Sequence, residues 1–188
     1  MIFVLLGVIS FLIMYLYDFY TLKNKFILKL MFGITGFGMF IYATIMTLQS
    51  KVIYELPIIV RIVSGVAFIV FLMLLIYSLF IELPFVKTYG KCNHKHELVD
   101  TGTYALCRHP GVIWFGFMFL FMFLTTGIKI LVIAGLVWTI CDIIYVFYQE
   151  KYIFKKLFPN YTDYIKSTPM LIPNKKSIKK FIMTLMGE

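Results

Sequence analysis

The sequence predicts an all-α, polytopic membrane protein with about five transmembrane helices and an amphipathic C-terminal helix, and three observations carry that prediction. Of its 188 residues 61% are hydrophobic and only 14% are charged, with a mean hydropathy of +0.90; soluble domains carry roughly a quarter charged residues. Apolar runs long enough to cross a hydrocarbon core of about 30 Å recur along the chain. The lysines gather in the polar stretches between those runs. One composition regime throughout implies one domain. The net charge of +9 does not point to nucleic acid, because no basic stretch with interleaved base-stacking aromatics lies outside the apolar runs. The expected partner is the lipid bilayer.

The first span is the nearly continuous apolar run 1–20, with Asp18 at its end. A cleaved signal would need a basic start and a small-residue cleavage site; neither is visible, so the segment is expected to stay in the mature chain. A loop with Lys23, Lys25 and Lys29 leads to a second span, about 30–48. Its Gly33, Gly36 and Gly38 follow no strand, so they read as close-packing positions and not as a nucleotide loop. A connector with Lys51, Glu55 and Pro57 precedes a third span, about 58–83, which is long enough to tilt or project. Arg61 and Glu82 near its ends are placed to snorkel. After the polar stretch 84–108, two apolar runs, 111–125 and 128–148, are parted by Thr126 and Gly127, which reads as a tight helical hairpin. The first of them is short for a span. Residues 149–158 then alternate Ile153, Phe154, Leu157 and Phe158 with Lys151, Lys155 and Lys156 in helical rhythm, an amphipathic extension that Pro159 stops. Tyr161, Tyr164 and the segment from Pro169 to Pro173 suggest a tethered tail. Past Asn174 basic and apolar residues alternate, as an anionic-lipid contact would.

Positive charge orients the whole. Five spans put fifteen of the eighteen basic residues on one side, leaving only Lys51, Arg61 and Lys129 opposite. The positive-inside rule then assigns the N-terminus to the outside and the C-terminus to the cytoplasm. Cys92 and Cys107 would face a reducing compartment and Cys141 lies in a span, so no disulfide is expected.

The longest interval with groups capable of chemistry runs from His96 to Val112. Pro110 suits a first helical position, since its missing N–H would be unpaired there. Arg108 and His109 would then sit at the positive end of a helix, where an anion is favoured; a basic loop touching headgroups is the plainer reading. Cys92, His94, His96, Cys107 and His109 are zinc-type donors, but their spacing fits none of the common zinc patterns, and no metal site is expected. Asp142, an acid within the fifth span, would suit a proton or ion path; pairing within the bundle or staying protonated is the plainer reading.

The order His96-x-Leu98-Val99-x-Thr101-Gly102-x-Tyr104, Arg108-His109-Pro110, an apolar hairpin, Gln149-Glu150, Phe158-Pro159-x-Tyr161-x2-Tyr164 and Leu171-Ile172-Pro173 strongly resembles the isoprenylcysteine carboxyl methyltransferase and phospholipid methyltransferase superfamily of integral membrane methyltransferases. The motifs cover about the last hundred residues. The resemblance implies S-adenosyl-L-methionine as cofactor and methyl transfer to a lipophilic acceptor. It implies cofactor contacts at His96, Leu98, Val99, Tyr104, His109, Pro110, Gly111, Val112, Gln149 and Glu150, with His109, Glu150 and Arg108 in catalytic roles. The chain then divides into three spans (1–83), a cytosolic cofactor loop (84–110), a helical hairpin (111–148) and a cytosolic C-terminal segment (149–188).

Three departures bear on the acceptor. The tyrosine common two residues after the proline is Val112, the usual acidic pair is Gln149-Glu150, and Tyr145 and Val146 stand where prenylcysteine enzymes carry an arginine. With no cation to pair a buried carboxylate, a prenylcysteine acceptor is disfavoured. Trp114, Phe115, Trp138 and Tyr145, if they face inward, suit an apolar acceptor or a cationic amine headgroup. On the same grounds His109→Ala and Glu150→Ala should weaken cofactor affinity and leave stability near normal. Two alternatives remain: an NADPH-dependent membrane sterol-type reductase, which shares an Arg-His-Pro segment but is usually longer, and a non-enzymatic membrane scaffold.

Overall fold

The computed structural model describes residues 1–51, 54–83 and 98–186. Among them every regular element is helical. Helices α1 (Ile2–Leu22), α2 (Phe26–Leu48) and α3 (Ile58–Ile76) come first, and α3 runs on through a π-helical turn, Tyr77–Glu82. A short α4 (Thr103–Leu106) precedes α5 (Pro110–Thr126) and α6 (Ile130–Tyr148), and α6 continues through a second π-helical turn, Gln149–Phe154, to Leu157. Helices α7 (Tyr161–Ser167) and α8 (Lys175–Met186) complete the chain. Ile2–Leu22, Phe26–Leu48, Ile58–Glu82 and Ile130–Leu157 are long and apolar enough to cross a membrane, and α5 is a shorter apolar helix. The protein is therefore an all-α, multi-pass integral membrane protein.

The apolar faces explain the arrangement. Ser64 is the one buried residue of α3 between Ile58 and Ile76. The helix turns Ile59, Ile62, Val63, Val66 and Met73 outward, as only lipid tolerates, packs Phe68, Leu72 and Leu75 on the core, and stacks Phe71 on Phe117 and Phe121 of α5 with centroids 5.0 and 5.4 Å apart. The core lies where α1, α2, α5 and α6 converge on Val4, Phe11, Ala43, Phe115, Phe119 and Trp138. Trp138 is 0% exposed, and its indole N–H donates to the Val4 carbonyl at 2.9 Å, so the ring leaves no polar atom unpaired in lipid. Gly7 makes this possible: a Cβ there would lie 2.2 Å from the indole. Of the three second-span glycines, Gly33 and Gly36 face α1, whereas the space around Gly38 is open.

The hairpin expected at Thr126 and Gly127 is present. Gly127 ends α5 with φ of +73°, and its N–H donates to Phe123 O at 2.7 Å, a left-handed cap that glycine adopts without strain. Arg61 donates through Nε to Thr125 O at 3.0 Å. Glu82 does not snorkel; it turns to the polar segment. Of the expected inward aromatics, Phe115, Trp138 and Tyr145 are buried, and Trp114 lies against Phe71 with its indole N–H enclosed and unpaired.

Candidate active site

The site is assembled at one end of the bundle by three stretches distant in sequence. The first joint is between α3 and α4. Both oxygens of Glu82 accept from Thr103, one from its backbone N–H at 2.6 Å and one from its hydroxyl, so a carboxylate from another helix satisfies a donor that the α4 N-terminus would leave orphaned. Gly102 is required beside it, with φ of +54° and an added Cβ falling 1.7 Å from Glu82 Oε1. Tyr104 then reaches back with its hydroxyl to Ser78 O at 3.1 Å. That carbonyl lies in the π-helical turn, where i→i+5 bonding replaces the regular ladder.

The second joint ties the tail to the same segment. Tyr164 donates to Tyr104 O at 2.6 Å, while the backbone N–H groups of Arg108 and His109 donate to Pro169 O and Met170 O at 2.9 and 3.1 Å. Phe158, Tyr161 and Tyr164 form a small core with Leu98, Phe154, Leu157 and Ile165 packed against it. The tail is thus tethered by named bonds.

Arg108, 9% exposed, lies at the centre. Its Nε donates to Glu150 Oε1 at 2.7 Å and its Nη2 to Oε2 at 2.9 Å, a bidentate fork, while Nη1 donates to Ile165 O and Thr168 O. Burial works against the guanidinium, and Glu150 outweighs it, so the net shift is upward. His109 Nε2 lies 2.9 Å from Glu150 Oε1. A carboxylate already held by an arginine has no proton to offer, so the imidazole must donate from Nε2 and keep a lone pair on Nδ1. Burial holds His109 below its ordinary pKa, against the opposing pull of Glu150, so the ring is neutral near pH 7. The anion expected at this helix start is therefore a side chain of the chain itself.

These bonds use three of the roughly four acceptor positions on Glu150. Its side chain is 13% exposed and opens into a cleft of about 460 Å³ that Phe147, Tyr148, Lys151, Tyr152, Lys155 and Ile165 also line. That volume is within the usual range for small-molecule sites. Beside it the Tyr161 hydroxyl is buried without a hydrogen bond of acceptable geometry. Burial first, then the negative Glu150, push its pKa upward, so the phenol stays protonated close to the Glu150 carboxylate.

The candidate residues thus fall into groups. Arg108, His109 and Glu150 are brought into direct contact. Tyr104 joins them through Tyr164, and Pro110, Gly111 and Val112 form the buried first turn of α5. Leu98 packs on the Phe158 cluster and Val99 is half-buried next to it in sequence. Gln149 turns away, donating to Asp18 Oδ2 at 3.0 Å. His96, like Cys92 and His94, lies outside the described residues. Among the described residues no cluster of three His, Cys, Asp or Glu side chains could hold a metal ion. Sequence reasoning did not single out Glu82 or Asp18 for this end of the bundle, and quoted Gly102 only as part of the motif; for the two acids, the signal was a carboxylate near the end of an apolar helix.

The sequence profile of the phospholipid methyltransferase family matches residues 60–161, just over half of the chain, running from α3 to Tyr161 and including Arg108, His109 and Glu150. This chain belongs to the phospholipid methyltransferase family. Comparison with curated proteins and with solved structures gave no match. As a phospholipid methyltransferase family member it is a membrane methyltransferase, and the Arg-His-Pro segment is accounted for without the reductase reading.

Proposed function

We propose that this protein transfers a methyl group from S-adenosyl-L-methionine to a lipophilic acceptor held in the bilayer. The observation that carries the reading is the Glu150 carboxylate, fixed by Arg108 and His109 where two apolar helices meet and open to a cleft with aromatic and basic walls. The donor set fits the cofactor. Glu150 and the buried Tyr161 hydroxyl beside it offer an acceptor and a donor for hydroxyl or ammonium groups, Lys151 and Lys155 are cations suited to a carboxylate, and Tyr148 and Tyr152 are rings suited to a purine. When bound, the sulfonium supplies an electrophilic methyl carbon.

The residues of the chain orient, desolvate and hold charge. Arg108 keeps Glu150 ionised and immobile, which is pre-organisation of the kind that positions a ligand without reorganisation on binding. His109 keeps a neutral Nδ1 as a hydrogen-bond or proton acceptor. Val112, Phe115 and Tyr145, all buried, exclude water above this level, and a cationic donor reacts fastest with a nucleophile stripped of water.

The positive-inside bias supports a cytoplasmic cleft, with the N-terminus outside. Helix α8 supports the same side: Ile178, Ile182 and Met186 make an exposed stripe at i, i+4 and i+8, next to Lys175 and Lys179, the pattern of a helix lying in an anionic interface. The test is titration of the purified protein with S-adenosyl-L-methionine and with NADPH. Saturable binding of the former alone, weakened by Glu150→Gln, is expected; binding of NADPH alone would revive the reductase reading, and binding of neither would favour the scaffold.

A further inference from the structure

Asp142 lies on the buried arc of α6 that Leu131, Ala134, Gly135, Trp138, Tyr145 and Val146 define. Trp138 is one turn before it and Tyr145 three residues after, so all three side chains share one face. Those two rings are 0% and 7% exposed, yet Asp142 at the middle of the arc is only partly buried. Residue 142 keeps a share of accessible surface within an otherwise closed face. Among the described residues no hydrogen bond or ion pair reaches Asp142. An acid inside a membrane span is costly when charged and unpaired, and a donor brought in by a ligand would complete it.

Its depth follows from the hairpin. An added Cβ on Gly135 would lie 2.8 Å from Phe119 Cβ, and one on Gly116 3.3 Å from Thr139 Cγ2. Helices α5 and α6 are antiparallel, so advancing three residues from Thr139 retreats three from Gly116. Asp142 is therefore level with Val112 and Ile113, three to four residues or roughly 5 Å deeper in the bilayer than His109 at the helical rise. On the α1 side, Trp138 bonds to Val4 O and Tyr145 to Met14 O, which brackets the level of Phe11. Phe11 meets Phe115 at 6.5 Å and Tyr145 at 6.4 Å, both edge to face.

We propose that Asp142 is the acceptor-binding residue, receiving the N–H or O–H donor of a membrane-borne acceptor one helical turn deeper than His109. This rests on the methyl-transfer reading above and adds the residue of this chain that holds the acceptor: a carboxylate on the arc of α6 that carries the Trp138 and Tyr145 rings. An ammonium gains both from the opposite charge and from the ring faces, whereas a carboxylate or thiolate acceptor is repelled.

The test uses purified protein in non-ionic detergent, with dodecylamine, dodecanol and dodecanoate as probes and no cofactor present. Binding is read as stabilisation against heating. The amine, the alcohol or both should stabilise the wild type, and dodecanoate should not. Asp142→Leu should weaken the productive probe about tenfold to a hundredfold, the worth of a lost charged hydrogen bond, without lowering the melting temperature of the unliganded protein. Asp142→Asn should retain the alcohol and lose the amine. Three results overturn the proposal: a lower melting temperature for unliganded Asp142→Leu with probe binding intact, equal binding of dodecanoate by wild type and variant, or no probe binding by the wild type. The assay contains no S-adenosyl-L-methionine, so failure of that ligand to bind in its own titration would strike the methyl-transfer reading instead.

Discussion

Removing Glu150 tests whether the site and the tail share one electrostatic lock. The sequence alone suggests that Glu150→Ala affects binding and little else. The geometry revises that expectation, because the substitution deletes three hydrogen bonds at once and leaves the Arg108 guanidinium, 9% exposed, without its counter-ion. Breaking a buried pair from one side costs roughly 3–5 kcal/mol, whereas replacing both members by apolar groups is often near neutral. Glu150→Ala should therefore lower the unfolding free energy by about 3–5 kcal/mol and free the segment that Arg108 holds through Ile165 O and Thr168 O. Arg108→Met combined with Glu150→Leu should recover most of that loss and still bind no S-adenosyl-L-methionine. Thermal unfolding in detergent, proteolysis after Lys166 and ligand titration read the three quantities. A double variant no more stable than Glu150→Ala would refute the electrostatic argument, and one that binds the cofactor normally would remove Glu150 from the site.

Four further outcomes are expected. His109 has a folded pKa below its unfolded value, so the folded state binds fewer protons; its contribution is intact above about pH 6.5 and falls as pH drops from there through the lower folded value. The difference in melting temperature between wild type and His109→Asn should therefore change sign or shrink between pH 7.5 and pH 5, and a constant difference would contradict it. Gly102→Ala combines strain at positive φ with a clash against Glu82, and should cost more than about 1 kcal/mol and weaken cofactor binding together with Glu82→Gln; a silent Gly102→Ala would show that the α3–α4 joint does not hold the site. Burial pushes the Cys107 thiol up to about 11 at 0% exposure, so mass spectrometry after alkylation at pH 8 should find it unmodified until the protein unfolds. Single cysteines placed at Lys51 or Lys129 should react with an impermeant reagent from outside and one at Lys175 should not; the reverse pattern would invert the orientation.

The sequence by itself determined the class, four membrane-spanning helices and the hairpin. In lipid every backbone group must be satisfied within its own segment, so apolar length and a Thr126-Gly127 break specify helices and a turn with little help from neighbours. It also named Arg108, His109 and Glu150, because motif order survives in one dimension. Only the tertiary structure decided how Gln149 and Glu150 divide their partners. Gln149 and Glu150 are adjacent, and the helix turns one toward Asp18 on α1 and the other toward Arg108. The same holds for Glu82, which sequence reads as an interfacial acid and packing makes the partner of Thr103. For Asp142 the sequence offered a proton path or a pairing within the bundle. Its place on the buried face between Trp138 and Tyr145, level with Val112, depends on the register of α6 against α5, and that register is set by how closely Gly116 and Gly135 admit the facing helix.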